Sequence, residues 1–250
     1  MRSRGLRGSS LAKSENLEYH RVLLKISGEA IAGECSCFSL ETIENIVQEI
    51  AQVQNMGVEI GLVIGGGNII RGERLAEKGL NRTRSDSMGM LATVINGMLF
   101  ENIFAIKGVP SVLYSAIEMG NIAERMSTRS VERSLAEKAV IVFSGGTGNP
   151  FFTTDTAAAL RACEIGANAL LKATKVDGVY DRDPALHPDA RFYTEISYGN
   201  VLKNTLKVMD MTAVSLCREN RIPIVVFNLY KRGNLAKIVS GERIGTIIKE

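Results

Sequence analysis

The stretch SGGTGNPFFTTD, residues 144–155, indicates the fold class. It follows the apolar run AVIVF, residues 139–143, which predicts a buried parallel strand. It precedes AAAL, residues 157–160, which predicts a helix. A glycine-rich loop between a strand and a helix is where open α/β sheets bind ligands, since glycine lets backbone N–H groups approach an anion. An ordinary tight βα turn with N-cap chemistry gives the same pattern, so this central loop does not by itself establish a binding site.

A second glycine-rich turn strengthens the binding interpretation. The strand-like run 58–64 leads into GGGNIIRG, residues 65–72, where Arg71 adds a planar cation suited to phosphate. An earlier strand, RVLLKIS, residues 21–27, carries Lys25 in an otherwise apolar run. A lysine at a strand end can extend its charge to solvent, or it can point that charge at a phosphate.

Alternating strand and helix patterns organise the rest of the chain. They predict a mostly parallel sheet with helices on both faces. Residues 1–18 are basic and rich in serine and glycine, so we expect a flexible tail followed by a single domain over 19–250. A long helix is predicted from Ser85, and its inner side is expected to carry Met88, Leu91, Ala92, Ile95 and Leu99.

Composition excludes several classes of protein. The net charge of +3 is too small to indicate nucleic-acid binding, and no apolar run is long enough to predict a membrane span. Cys35 and Cys37 have no CxxC or histidine partner nearby, so neither a zinc site nor any other protein-held metal site is predicted. Reduced cysteines and no recognisable secretory signal favour an intracellular protein.

The strand-end loops suggest phosphoryl transfer. In a parallel sheet the carboxyl ends of the strands share one edge, so the loops around residues 25–28, 65–71, 146–155 and 174–183 are expected to converge. Phosphoryl transfer requires mainly positioning and charge neutralisation, here by Lys25, backbone amides and Mg²⁺. Asp155 and Asp210 are candidates to hold lysines or the metal. Neither a Walker loop nor a GxGxxG fingerprint is present.

Several motifs together resemble the bacterial uridylate kinases of the amino-acid kinase superfamily. The likeness runs in register from Tyr19 to the end of the chain. It rests on six segments: KISGEA (25–30), GGGNIIRG (65–72), DxMGMLAT (86–93), TGNPFFTTD (147–155), KATKVDGVY (172–180) and KVMD (207–210).

The resemblance implies a three-layer sandwich of the carbamate kinase-like type and transfer of phosphate from ATP to UMP with Mg²⁺, giving ADP and UDP for pyrimidine nucleotide synthesis. It also implies a cytoplasmic homohexamer, inhibited by UTP. Matched residue by residue, it assigns catalysis to Lys25, Asp155 and Asp210. It assigns ATP to Lys25, Ile26, Ser27, Gly28, Gly67, Arg71, Thr174, Tyr180 and Asp183. It assigns UMP to Gly66, Asp86, Thr147, Gly148, Asn149, Pro150, Phe151, Phe152, Thr153 and Thr154.

One segment departs from the family pattern. After Gly33 the family often has further glycines linked to GTP activation, whereas residues 33–39 here read GECSCFS. We therefore expect GTP to activate this enzyme weakly or not at all.

The sequence also fits two other hypotheses. A superfamily kinase for a carboxylate or carbamate would need cations rather than Asp86 in its acceptor site. A nucleotide-binding regulator or storage protein on the same fold could dispense with Lys25.

Overall fold

The computed structural model describes residues 17–34, 36–204, 206 and 208–250. Of the predicted tail, residues 1–16 lie outside the described residues, as do Cys35 and Lys207 from the motifs above. At the end of that tail, Leu17 packs against the hydrophobic core and the Glu18 N–H donates to the Val239 carbonyl at 2.9 Å.

The core of the molecule is a nine-stranded sheet with the order β4-β3-β5-β2-β1-β6-β10-β11-β9. All neighbouring strands are parallel except β10 and β11, which pair antiparallel; β7 and β8 form a separate antiparallel hairpin. The strands are β1 (Arg21–Ile26), β2 (Glu59–Ile64), β3 (Ser111–Ser115), β4 (Glu124–Arg125), β5 (Val140–Ser144), β6 (Ala169–Thr174), β7 (Val179–Tyr180), β8 (Phe192–Tyr193), β9 (Glu195–Ser197), β10 (Ile224–Asn228) and β11 (Thr246–Lys249).

Helices cover both faces of this sheet and complete the three layers. α1, α3 and α8 contribute to the hydrophobic cluster on one face, and α4 to α7 contribute to the cluster on the other. The predicted three-layer α/β fold is therefore confirmed. The helices are α1 (Leu40–Asn55), α2 (Gly72–Glu77), α3 (Arg82–Ile106), α4 (Thr128–Ala136), α5 (Thr154–Glu164), α6 (Tyr198–Lys203), α7 (Met211–Glu219) and α8 (Asn234–Val239).

The inner face of α3 differs from the prediction. Ala92 is buried as expected, but Met88, Leu91 and Ile95 are exposed and lie on the outer side. Both sides of this helix are apolar, so hydrophobic periodicity could not identify the inner one. Close packing decides it: a Cβ on Gly97 would lie 2.6 Å from Leu113 Cδ1, so only the side with the small residue can approach β3 so closely.

By length and composition alone α3 could cross a membrane, contrary to the sequence prediction. Its most apolar window has a mean hydropathy of 1.5, and 44% of that window is buried inside the protein. Since α3 packs against β3 and β5, we assign it to the core of the domain.

Candidate active site

The site begins with two lysines on neighbouring strands. Lys25 on β1 is paired in register with Lys172 on β6. Side chains alternate along a strand, and the flanking Leu24 and Leu171 pack in the opposite hydrophobic cluster, so both lysines face α5.

Asp155, in the first turn of α5, joins the two lysines. Its Oδ1 lies 2.7 Å from Lys25 Nζ and its Oδ2 lies 2.9 Å from Lys172 Nζ. Lys172 Nζ also donates to the Val208 carbonyl. We call Lys25, Asp155 and Lys172 the charged cluster; it carries one net positive charge and is almost fully buried, with no side chain more than 15% exposed.

Burial and mutual charge shift the pKa values in this cluster. Burial raises the pKa of the Asp155 carboxyl, but the charges of Lys25 and Lys172 outweigh that effect and hold it below its usual range. Burial lowers the pKa of the Lys172 ammonium, and the positive charge of Lys25 lowers it further. The negative charge of Asp155 raises it but does not outweigh them, so the pKa lies below the ordinary 10.5. Shifted values in buried side chains of this kind are typical of functional sites.

Asp210 organises the start of α5 from the side. It caps α7 by accepting the Ala213 N–H at 2.8 Å, and its Oδ2 accepts the hydroxyls of Thr156, at 2.8 Å, and Thr153. Thr153 is itself the N-cap of α5. Asp210 therefore fixes the turn that positions Asp155, and it forms no ion pair with a lysine among the described residues.

The two phosphate turns, which are the segments at residues 25–28 and 65–71 from which the resemblance assigns residues to ATP, are in direct contact. Ile26 ends β1 and Ser27 leads into a single 3₁₀ turn, Gly28–Ala30. A Cβ on Gly28 would lie 2.6 Å from the Gly65 carbonyl oxygen and 2.7 Å from the Gly67 nitrogen. Only glycine permits this approach. Arg71 forms an ion pair with Glu29 at the same place.

A cavity of about 410 Å³ opens beside these turns, within the size range of small-molecule sites. It brings together nine of the predicted residues: Gly66, Gly67, Arg71, Asp86, Thr147, Asn149, Phe152, Thr153 and Thr154.

Asp86 has partners that the sequence analysis did not foresee. Its carboxylate accepts Arg82 Nε at 3.0 and 2.9 Å, and its Oδ2 accepts the Phe151 N–H at 2.8 Å. The Arg82 guanidinium lies 5.7 Å from the centre of the Phe151 ring. Phe151 has φ of 71°, a value that non-glycine residues rarely adopt, so Asp86 holds the loop in a strained shape. The i,i+4 spacing of Arg82 and Asp86 was the available sequence signal.

The remaining central-loop residues form a turn at the rim of the cavity. Thr147 Oγ1 accepts the Asn149 N–H at 3.2 Å, and Gly148 has a positive φ of 79°. Pro150 follows Asn149 in the same turn.

The residues predicted for adenosine lie apart from this cavity. Thr174 ends β6, where its hydroxyl donates to the Val176 carbonyl at 2.7 Å. Tyr180 contacts Phe192 edge-to-face at 5.2 Å, and Asp183 caps the Ala185 N–H at 2.9 Å. Among the described residues, no hydrogen bond or ion pair joins these three side chains to the phosphate turns.

Known proteins show which family combines these features. The amino acid kinase family model matches residues 20–228. The chain belongs to the amino acid kinase family. It is 51% identical to a uridylate kinase of Magnetococcus marinus, over 92% of this chain and 96% of that protein.

Solved structures agree with this assignment. UMP kinase from Bacillus anthracis superposes with a TM-score of 0.89 at 35% identity, covering 92% of this chain and 96% of that one. UMP kinase from Ureaplasma parvum gives 0.87 at 35% identity, covering 92% and 99%. The resemblance to uridylate kinases that the motifs indicated is thereby confirmed.

Proposed function

We propose that this chain transfers the terminal phosphoryl group of ATP to UMP, giving ADP and UDP. The observation that carries the proposal is the charged cluster, which is linked to the cavity through the start of α5: Thr154 lines the cavity and Asp155 is the next residue. Two buried ammonium groups beside a phosphate pocket suit a reaction in which negative charge must be neutralised.

The acceptor explains why no general base is needed. The attacking group is a phosphate oxygen of UMP, which is already ionised near neutral pH because the second phosphate pKa is about 6. It forms a bond to the γ-phosphorus of ATP while the bond to the ADP oxygen breaks. Asp155, whose two oxygens pair with two lysines, holds those lysines rather than accepting a proton.

The proposed assignments to individual substrates follow the family resemblance. Arg71, Gly67 and the 3₁₀ turn are proposed to face the ATP phosphates, and Thr174, Tyr180 and Asp183 the adenosine. Gly66 and the central loop are proposed to hold UMP. Asp86 is proposed to act on UMP chiefly through the position of Phe151, since its Oδ2 accepts the Phe151 N–H.

Mg²⁺ is proposed to arrive with ATP. The described residues include no group of three or more histidine, cysteine, aspartate or glutamate side chains placed to hold a metal. Asp155 and Asp210 both have protein partners, so the nucleotide phosphates are the proposed ligands. The ion would neutralise phosphate charge, and these two carboxylates would orient lysines and threonines around it.

Assembly into a homohexamer is proposed with the outer side of α3 as one contact. Met88, Leu91, Ile95 and Met98 are each between 40% and 48% exposed and follow helical spacing, which gives a continuous apolar stripe. Exposed apolar patches of this kind mark interaction sites. On the family resemblance, the proposal also includes inhibition by UTP, a cytoplasmic location and a role in pyrimidine nucleotide synthesis. The departure after Gly33 adds weak or absent activation by GTP.

An ADP-release assay tests the function. Purified protein is given ATP and Mg²⁺ with UMP, CMP, acetylglutamate or aspartate in turn, and we expect turnover with UMP far above the others. Faster turnover with either amino acid would support a carboxylate kinase instead. Binding of UMP without turnover would support a nucleotide-binding regulator.

A further inference from the structure

One face of α3 contacts both glycine-rich turns. Thr93 and Asn96 lie three residues apart, so they share a side of the helix, and both are buried, with exposures of 7% and 0%. Each makes a hydrogen bond to the backbone of a different turn. Thr93 also lines the cavity, but neither residue has been given a role above.

Thr93 holds the central loop. Its hydroxyl donates to the Met90 carbonyl at 2.6 Å and accepts the Gly145 N–H at 2.8 Å. A threonine hydroxyl has a single proton, so donation to Met90 leaves a lone pair directed at Gly145. Gly145 has φ of 73°, and this bond fixes the point where the loop leaves β5.

Asn96 holds the other turn. Its Nδ2 donates to the Gly65 carbonyl at 2.6 Å and to Asn68 Oδ1 at 2.8 Å. Asn68 in turn donates to the Cys37 carbonyl at 2.9 Å. A fully buried amide with these bonds determines one orientation for the turn, because any other leaves polar groups unpaired.

The same turn is also pressed against α3. A Cβ on Gly66 would lie 2.7 Å from the Gly89 carbonyl oxygen and 2.8 Å from Ala92 Cβ. The spacing between the turn at 65–67 and the central loop is therefore set through a single rigid helix.

We propose that Thr93 and Asn96 are positioning residues that set the distance between the two glycine-rich turns, and hence between the phosphates of donor and acceptor. The inference rests on the proposed function. Phosphoryl transfer depends on placing the reacting groups, so a small displacement of either turn should reduce the rate.

The test for Thr93 uses three variants. Thr93→Val keeps the volume and removes the acceptor for Gly145, whereas Thr93→Ser retains the hydroxyl. Tyr114→Phe is the matched control: Tyr114 is fully buried, and its hydroxyl bonds Ser134, away from both turns, at 3.0 Å. Steady-state rates at varied UMP and varied ATP, calorimetry with UMP alone and thermal unfolding are measured for each.

We expect Thr93→Val to lose roughly ten- to a hundredfold in kcat/KM for UMP, with a smaller change for ATP. Thr93→Ser should restore most of that loss. Tyr114→Phe should lower the melting temperature and leave the kinetics unchanged. Should Thr93→Val lose its fold, Thr93→Ala removes the same hydroxyl and serves in its place.

Asn96→Asp gives an independent check. It keeps the shape but replaces the donor facing Gly65, and since that turn serves both substrates, we expect kcat/KM to fall for ATP as well as UMP. The inference is overturned if wild-type enzyme phosphorylates UMP and the Thr93 variants match it in kinetics and UMP affinity. If wild-type enzyme does not phosphorylate UMP at all, the proposed function is what has failed.

Discussion

The charged cluster and the tip of the central loop, residues 149–152, differ in how they are held. Lys25, Asp155 and Lys172 are buried and lie on strands or in the first turn of a helix. Phe151 and Phe152 at the loop tip are 64% and 51% exposed, and Phe151 is held by hydrogen bonding to Asp86. The groups proposed to neutralise charge thus lie in buried secondary structure, whereas the residues at the loop tip, which are proposed to contact the acceptor, lie on an exposed loop.

The difference indicates that the two regions serve different steps of the reaction. Groups that stabilise a transition state gain from being fixed before the reaction, since they then need no reorganisation. A loop that must admit and release a nucleotide is drawn from the less stable parts of a structure. Changes in the charged cluster should therefore act on kcat, and changes at the loop tip on KM for UMP.

Removal of a lysine tests the cluster most strongly. Lys25→Ala should keep the fold and lower kcat by about a hundredfold or more, because a fixed positive charge beside the phosphates is lost. Lys107→Ala, which removes an exposed ion pair to Glu44, is the control. A near-normal kcat with an unchanged melting temperature would show that Lys25 is not part of the transfer machinery.

Asp155→Asn should lower kcat and shift its pH dependence. The pKa of Lys172 lies below the ordinary lysine value of 10.5. Because deprotonation removes its positive charge, wild-type kcat should begin to fall at a pH below 10.5. The Asp155 carboxylate raises the pKa of Lys172, so its removal should move this alkaline decline to lower pH. The measurement is kcat at saturating substrates across neutral and alkaline pH.

Asp155→Asn should also change how the free energy of unfolding depends on pH. The pKa of Asp155 is lowered on folding, so its ionised form contributes stability that is present above the unfolded value, about 3.9, and lost as pH falls through the folded one. Asp155→Asn should remove that acid-sensitive contribution.

The kinetic prediction has its own contradicting outcome. If kcat declines at the same alkaline pH in the wild-type protein and in Asp155→Asn, the coupling between Asp155 and Lys172 is wrong.

Asp86→Ala tests the loop tip, with a smaller expected effect. Loss of the carboxylate frees Phe151 and Arg82, so KM for UMP should rise by about tenfold, more than KM for ATP. Asp86→Asn keeps an acceptor for the Phe151 N–H and should be milder. The measurement is a saturation curve for each substrate. Equal changes in the two KM values would contradict the assignment of Asp86 to the UMP site.

GTP should have the smallest effect, less than about a twofold change in initial rate at sub-saturating ATP. The segment after Gly33 lacks the family's further glycines, and Cys35 within it lies outside the described residues. In its described part, the Gly33 N–H donates to the Ser36 carbonyl at 3.0 Å. Activation by several-fold would show that those glycines are dispensable.

The sequence predicted strands better than it predicted some helices. Buried runs such as residues 139–143 have few alternatives, and β5 is found at Val140–Ser144. The short helices α2, α6 and α8 were not predicted, since six-residue helices carry little periodicity. Residues 192–197 form two short strands, β8 and β9, which pair with different partners.

Residue type predicted the chemistry of the site, and tertiary packing determined its contacts. Lys25 was identified because a lysine is rare in an apolar strand. Its pairing with Asp155 depends on β1 lying next to β6 beneath α5, which no local pattern reveals. The bond from the Phe151 N–H to the Asp86 carboxylate joins a backbone group to a side chain far away in the sequence, and no local pattern predicts it.

The central place of β1 between β2 and β6 has a consequence for how the enzyme forms. Lys25 belongs to the first strand of the chain, while Lys172 belongs to its second half, so their register is a contact between distant parts of the sequence. Such contacts form late and slowly in folding, after local helices and turns. As the chain leaves the ribosome, its first strand must wait for β6 and α5 before the two lysines can share one carboxylate. A chain made only as far as the central loop therefore has both glycine-rich turns but lacks Lys172 and the charged cluster, and catalytic competence arrives only with the closing steps of folding.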